Sequence, residues 1–416
     1  CSANWCWIWA PSCAARRAGR ARHRAGRLPE PLRASGRVRD QSLAAGRRRR
    51  VADRPGRRGA GRFDAARIVR QRAAPGRAAL LARQPRRSRC AAAIMGHRRP
   101  SGPRRGDIMQ EPRLDFVTCA SPTGFHRMAY WEWGDPLNDR VLVCVHGLTR
   151  TGRDFDHLAR RLAGQWRVVC PDVAGRGKSD WLSNPALYAV PQYVSDMATL
   201  IARVWPATLA WVGTSMGGLI GLGLAGAATM MRLARAMRPR PDGLPAQADD
   251  LRLHRLVLND VGPRLNVEVL QRIAGNVAAQ DSYSTFEAAV AAMRQISTTF
   301  GPHTDAQWDE LARHIYVRQG GGWVRHFDPA LAVPLGAQVA QAFEAGERIL
   351  WQAYDSLDCP VLIVRGQDSD LLSAATAGEM LARNPRARLH EVPGVGHAPT
   401  LMTPEQIEPI ARFLQE

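Results

Sequence analysis

The chain has 416 residues and a formal net charge of +21, room for one large α/β domain with an insertion or for two or three average domains. Such a charge suggests a nucleic-acid binder, but its distribution argues against that for most of the chain. Residues 1–108 hold 29 arginines against five acidic residues, whereas residues 109–416 hold 29 basic and 32 acidic residues and are close to neutral. No apolar run reaches the ~20 residues of a membrane span, so no span is expected.

Residues 1–108 show no sustained period, and Arg47-Arg48-Arg49-Arg50 is their densest charge run. They carry too little apolar surface to offset the entropy of folding. The opening Trp5-Cys6-Trp7-Ile8-Trp9 is short and lacks the charged region that precedes a secretory core. We expect a disordered or non-native leader. The favoured reading is translated sequence upstream of the true start, because Met95 and Met109 both precede the first sensible strand. The alternatives are a solvated basic tail that touches RNA, DNA or acidic lipid non-specifically, and an Arg-rich targeting peptide.

From Met109 onward, Leu114–Cys119 and Met128–Trp133 read as strands joined by a turn at Pro122-Thr123-Gly124. Val141–Val145 is a continuous apolar strand of the kind buried on both faces of a parallel sheet, ending in His146-Gly147-Leu148-Thr149. An amphipathic helix with Phe155, Leu158 and Leu162 follows, then a strand at Trp166–Cys170 and a turn-rich loop from Pro171 to Ser179. Tyr193–Trp205 reads as a helix. Leu209–Val212 leads into Gly213-Thr214-Ser215-Met216-Gly217 and a small, apolar helix that continues through Met230, Met231, Leu233 and Met237. Pro239, Pro241 and Pro245 end it. Leu256–Asp260 is the next strand. Residues 264–355 contain no convincing buried strand but show helical spacing in Val267-Leu270-Ile273, Phe286-Ala289-Met293-Ile296 and Trp308-Leu311-Ile315, and read as a helical insertion. Pro360–Val364 resumes the sheet. Ala374–Leu381 is a helix, Ala387–Val392 a last strand, and Pro404–Leu414 a closing helix. The order β-α-β-α-β-α with short connections predicts a doubly wound, mostly parallel sheet of about eight strands.

A serine between glycines where a strand turns into a helix is the pattern of a nucleophile elbow, although a bare Gly-x-Ser-x-Gly can also be an ordinary tight turn. Cys119, Cys144, Cys170 and Cys359 form no CxxC pair and read as reduced and mostly buried, which suggests a cytoplasmic protein. No metal-ligand cluster or dinucleotide fingerprint is visible, so no cofactor is expected.

Four motifs together carry a resemblance: His146-Gly147-Leu148, Asp172-x-x-Gly175-x-Gly177-x-Ser179, Gly213-Thr214-Ser215-Met216-Gly217-Gly218 and Gly394-Val395-Gly396-His397. From Met109 to its end, the chain resembles the α/β-hydrolase fold in its lid-bearing, serine esterase or lactonase-like branch. The resemblance implies a core of residues 109–263 and 356–416 with a helical lid at 264–355. It implies Ser215 as nucleophile and His397 as its base, with the backbone N–H groups of Leu148 and Met216 as an oxyanion hole. His146 and Asp172 read as loop-forming residues. For the acid that orients His397, many relatives use the third residue after the strand ending at Gly366. That residue is Ser369 here, flanked by Asp368 and Asp370. Others place the acid after the preceding strand, where Asp260 stands. Asp370 is preferred, with Asp260 close behind and Asp368 third.

The implied activity is hydrolysis of a small or medium carboxylic ester or lactone through an acyl-serine. Trp308, Trp323, Trp351, Phe286 and Phe343 suggest an apolar acyl substrate, unless they serve the core of the insertion. A carbon–carbon bond hydrolase or an acyltransferase of the same fold is the alternative, and a basic-tailed nucleic-acid-binding protein the alternative from another class. No nucleic acid is expected for the folded part, and the sequence is silent on oligomeric state.

Overall fold

The computed structural model describes residues 111–237, 251–279, 281–336 and 340–416, apart from the side chains of 336 and 340–343. The arginine-rich leader, the proline-containing stretch 238–250 and the Phe343 side chain lie outside the described residues.

The chain begins with a hairpin of β1 (Arg113–Ser121) and β2 (Gly124–Trp133), followed by β3 (Arg140–Val145), α1 (Asp156–Leu162), β4 (Arg167–Pro171), α2 (Val190–Val204), β5 (Thr208–Thr214), α3 (Met216–Ala236) and β6 (Leu253–Asn259). Next come α4 (Val267–Ala278), β7 (Ser282–Tyr283), α5 (Phe286–Ile296), α6 (Asp305–Arg313), β8 (Tyr316–Gln319), β9 (Gly322–Arg325), α7 (Ala332–Gly336) and α8 (Ala340–Asp355). The chain closes with β10 (Val361–Gly366), α9 (Ala374–Arg383), β11 (Ala387–Val392) and α10 (Pro404–Gln415).

Eight strands form one sheet in the order β1-β2-β4-β3-β5-β6-β10-β11. β1 and β2 pair antiparallel, as do β2 and β4, and every later pair is parallel. The period-2 alternation of a strand explains why its central members are apolar throughout. In β3, Val141, Val143 and Val145 join the core under α2, α3 and α8, while Leu142 and Cys144 join the core under α1 and α10. Any polar residue here would lie in one core or the other. The four cysteines of the described residues are buried and free.

α3 is the long apolar helix that leads out of the elbow. By length and composition alone it could cross a membrane. Residues of its first half, from Met216 to Gly226, are buried against the sheet, as in the core helix of a globular fold.

The stretch 264–355 is not purely helical. Alongside α4–α8 it holds a three-stranded antiparallel sheet, β7-β9-β8. It has a small core of its own, in which Met293, Trp308, Leu311, Ile315 and Tyr316 pack with Met402 of the main body. α8 joins the main core: Trp351 and Tyr354 are buried with the sheet residues, and Ala353 packs at Gly226 of α3.

Candidate active site

Ser215 stands between the central strand β5 and α3, with φ 51° and ψ −116°. A non-glycine residue in that region is strained by about 1–3 kcal/mol and persists only where its surroundings hold it. Here the Ser215 N–H donates to the Asn259 carbonyl of neighbouring β6 at 2.9 Å, and the Ser215 carbonyl accepts from Gly218 and Leu219 in the first turn of α3. The flanking glycines are required by close approach. A Cβ on Gly213 would collide with the Gly217 backbone, and one on Gly217 with the Val145 carbonyl.

The loop after β11 brings His397 to this serine. His397 Nε2 is 2.9 Å from Ser215 Oγ, and its Nδ1 is 2.8 Å from Asp260 Oδ2. With Nδ1–H donating to the carboxylate, Nε2 is left to accept the serine proton. Asp260 follows β6, is fully buried, and has φ 56°. Its Oδ1 accepts from the Gly366 N–H at 2.9 Å and its Oδ2 from the Ser369 hydroxyl at 2.7 Å. Three donors thus meet the desolvation cost of one carboxylate.

This geometry corrects the preference for Asp370. Asp370 pairs with Arg272 of α4 and makes no bond to His397. The reason lies in the sheet. β6 pairs with β10 so that Asn259 lies beside Val364, and the Asp260 N–H donates to the Val364 carbonyl at 2.7 Å. Both strand ends reach the histidine loop, but the carboxylate that turns to His397 is that of Asp260, whereas Asp370 turns to Arg272. Ser369, at the position where many relatives carry the acid, supplies a hydroxyl to Asp260 instead.

The remaining motifs build loops. His146 is buried with both nitrogens engaged: Nδ1 donates to the Gly147 carbonyl at 2.7 Å and Nε2 accepts from the Val173 N–H at 2.9 Å. Burial pushes its pKa down to about 4, so it is neutral. Asp172 accepts from the N–H groups of Gly152 and Lys178 and from the Trp131 indole. Burial pushes its carboxyl up to about 6, and the donors work in the other direction. Gly147 and Leu148 lie against the elbow, since a Cβ on Gly147 would stand 3.8 Å from Ser215 Cβ. Met216 is the first residue of α3, where an N–H has no intrahelical partner.

Three positioning groups escaped the sequence reading. Arg176 is fully buried and donates to the Leu148 carbonyl at 2.7 Å and to Tyr193 Oη at 2.9 Å, fixing the loop beside Ser215. The Asn259 amide donates to Thr214 Oγ1 and to the Pro399 carbonyl, both at 2.9 Å, tying the elbow strand to the histidine loop. Thr299, from the insertion, donates to the His397 carbonyl at 2.8 Å and accepts from the Gly396 N–H at 2.6 Å. Only Arg176 carried a signal, since it lies inside the Asp172–Ser179 motif.

Two hollows meet at Ser215. The larger, about 440 Å³, is lined by core residues including His397 and by insertion residues including Arg272, Asn276 and Arg325. The smaller, about 70 Å³, is apolar and lined by Tyr188, Tyr193, Met216, Leu219, Leu331 and others. None of the four described aromatics expected to favour an apolar substrate lines either hollow: Trp308, Trp323 and Phe286 serve the core of the insertion, and Trp351 the main core.

Among the described residues one donor group is compact enough to hold a metal ion: the buried Cys119, His126 and Asp196. His126 Nε2 lies 3.1 Å from Asp196 Oδ2 and Gln192 donates to Oδ1 at 2.8 Å, whereas the buried His126 Nδ1 has no partner among the described residues.

Residues 142–411 match the model of the alpha/beta hydrolase family. The chain is 49% identical over 306 residues to a 3-hydroxybutyrate-oligomer hydrolase of Cupriavidus necator, covering 73% of this chain and 97% of that protein. It is 27% identical over 281 residues to a pimeloyl-[acyl-carrier protein] methyl ester esterase of Xanthomonas campestris, covering 66% and 94%. Among solved structures it resembles an alpha/beta hydrolase from Novosphingobium aromaticivorans, with TM-score 0.61 and 35% identity over 74% of this chain and 99% of that one. A sheet with its serine at the turn out of the central strand, a family match across most of the described chain and relatives that cleave esters lead to one conclusion: this protein is an ester-acting member of the α/β hydrolase family.

Proposed function

We propose that the protein hydrolyses short oligoesters of 3-hydroxy acids through an acyl-serine. The observation that carries the mechanism is the chain of contacts Ser215 Oγ–His397 Nε2 (2.9 Å) and His397 Nδ1–Asp260 Oδ2 (2.8 Å) at the meeting point of the two hollows. The substrate class is supported by the likeness to the Cupriavidus necator hydrolase.

In this reading His397 Nε2 takes the Ser215 proton as Oγ attacks the ester carbonyl. Asp260 holds the ring in the required tautomer and stabilises the imidazolium. The N–H groups of Leu148 and Met216 receive the oxyanion, a role in which one donor is typically worth about 3–4 kcal/mol of barrier. His397 then protonates the departing alcohol and activates the water that cleaves the acyl-serine. The insertion acts as a lid, roofing the cavity and holding the histidine loop through Thr299.

Ser215→Ala, assayed against the 3-hydroxybutyrate dimer and p-nitrophenyl butyrate, is expected to lose both activities by ~10⁵-fold or more while keeping the wild-type circular dichroism spectrum. A serine-directed phosphonate should label the wild type and not the variant. Turnover that survives in Ser215→Ala would reject the mechanism. Hydrolysis of the p-nitrophenyl ester without the dimer would reject the substrate class alone.

A further inference from the structure

The larger hollow is lined by three arginines, Arg150, Arg272 and Arg325. Two already have a carboxylate. Arg150 forms a two-pronged pair with Asp154 at 2.7 and 2.8 Å, and Arg272 pairs with Asp370. Arg325, in β9 of the insertion, has none among the described residues. Its guanidinium donates to the Ala279 carbonyl and lies over the Phe327 ring, 5.1 Å from the centroid. A guanidinium has five N–H groups in a fork matched to a carboxylate, so Arg325 keeps donors for a ligand. Asp154 balances Arg150, leaving Arg325 as the unbalanced charge of the wall.

The two hollows also differ in what reaches them. His397 lines the larger one and does not line the apolar one. A departing alkoxide must take its proton from His397, so the alcohol part of an ester belongs in the larger hollow and the acyl part in the apolar recess. We propose that Arg325 anchors a free carboxylate on the alcohol part of the substrate, so that the enzyme releases the hydroxy acid at the carboxyl end of an oligoester. This rests on the reading of Ser215 and His397 given above. The Ser215 Oγ–carbonyl carbon bond forms and the bond from that carbon to the alcohol oxygen breaks. The serine proton passes through His397 to the leaving oxygen, and the hydroxy acid departs with its carboxylate intact. Water then cleaves the acyl-serine, and its proton returns through His397 to Ser215.

The test compares kcat/KM for the 3-hydroxybutyrate dimer with that for the same dimer capped as a neutral primary amide. A charge-assisted pair of this kind predicts that wild-type enzyme prefers the acid by about 10- to 100-fold, mainly through KM. In Arg325→Gln the acid-to-amide ratio should fall close to one, and in Arg325→Lys it should lie between the two. With a trimer acetylated at its hydroxyl end, the first products should be the monomer and the acetylated dimer. A wild-type ratio near one overturns the proposal, as does a ratio unchanged in both variants or a trimer cut first at its inner ester. The wild-type ratio and the trimer products stand even if Arg325→Gln does not fold. p-Nitrophenyl butyrate separates the two failures. If its hydrolysis depends on Ser215 while the acid-to-amide ratio is one, only the Arg325 anchor falls. If its hydrolysis does not depend on Ser215, the mechanism falls with it.

Discussion

Asp260 and Asp370 differ in what removing a charge does. Asp260 is fully buried and bonded to His397, Ser369 and Gly366, whereas the Asp370 side chain is 36% exposed and faces Arg272. Asparagine at 260 would present an amide that can bond the ring in the wrong tautomer, leaving Nε2 protonated and unable to accept from Ser215. Asp260→Asn should therefore lower kcat by about 10³–10⁴-fold with little change in KM. Asp370→Asn loses a surface ion pair worth at most about 1 kcal/mol and should keep kcat within a few-fold. Steady-state kinetics of the two variants side by side check this, and equal losses would remove Asp260 from the mechanism. The sequence ranked Asp370 ahead of Asp260, because spacing along a loop does not reveal which carboxylate turns to the histidine. That is set by the pairing of β6 with β10 and by the left-handed turn at Asp260. By contrast, Ser215 and His397 stood out because each occupies a short glycine-containing turn after a strand, apolar and buried in the case of β5.

At the scale of elements, long periodic runs were legible and short polar ones were not. Val141–Val145 and Val361–Val364 are uniformly apolar and could only be central strands. β7, β8 and β9 have two to four residues each, among them Arg318, Gln319 and Arg325, too short and too polar to show alternation. The aromatics of the insertion misled for a related reason. A small subdomain needs large side chains for its own core, and Phe286 with Trp323 at 5.0 Å between centroids meets that need. What the insertion gives the site is a hydroxyl. Thr299, in the turn after α5, holds the His397 carbonyl and the Gly396 N–H, so the insertion is tied directly to the histidine loop. Thr299→Val keeps the shape and the backbone carbonyl but loses the bond to His397. We expect kcat to fall about tenfold on both the 3-hydroxybutyrate dimer and p-nitrophenyl butyrate, since losing one such bond costs about 0.5–1.5 kcal/mol. The melting temperature should change little. A change in KM with kcat intact would instead assign Thr299 to substrate binding.

For the whole molecule, the burial that shapes the site also sets its response to acid. Burial pushes His146 and His314 down to about 4, against about 6.5 in an unfolded chain. Between those values the unfolded chain binds the proton and the folded one does not, so each histidine makes stability rise with pH and fall on acidification. Asp172 has the opposite sign. Burial raises it to about 6, so between roughly 4 and 6 the folded state holds the proton more tightly and stability falls as pH rises. Two histidines oppose one aspartate, and these three groups together favour loss of stability as pH drops from 6.5 to 4. His314 offers the cleaner test, because His146 also fixes the loop beside Ser215. His314→Gln removes one proton-uptake site from the unfolded chain without touching the contacts of Asp172. Urea unfolding across pH 4–7 should show a shallower acid loss in the variant, by up to about 1.4 kcal/mol per pH unit inside the window. Parallel curves for the two proteins would mean that His314 takes up its proton equally well folded and unfolded, and that its place at the end of α6 costs the charged ring nothing.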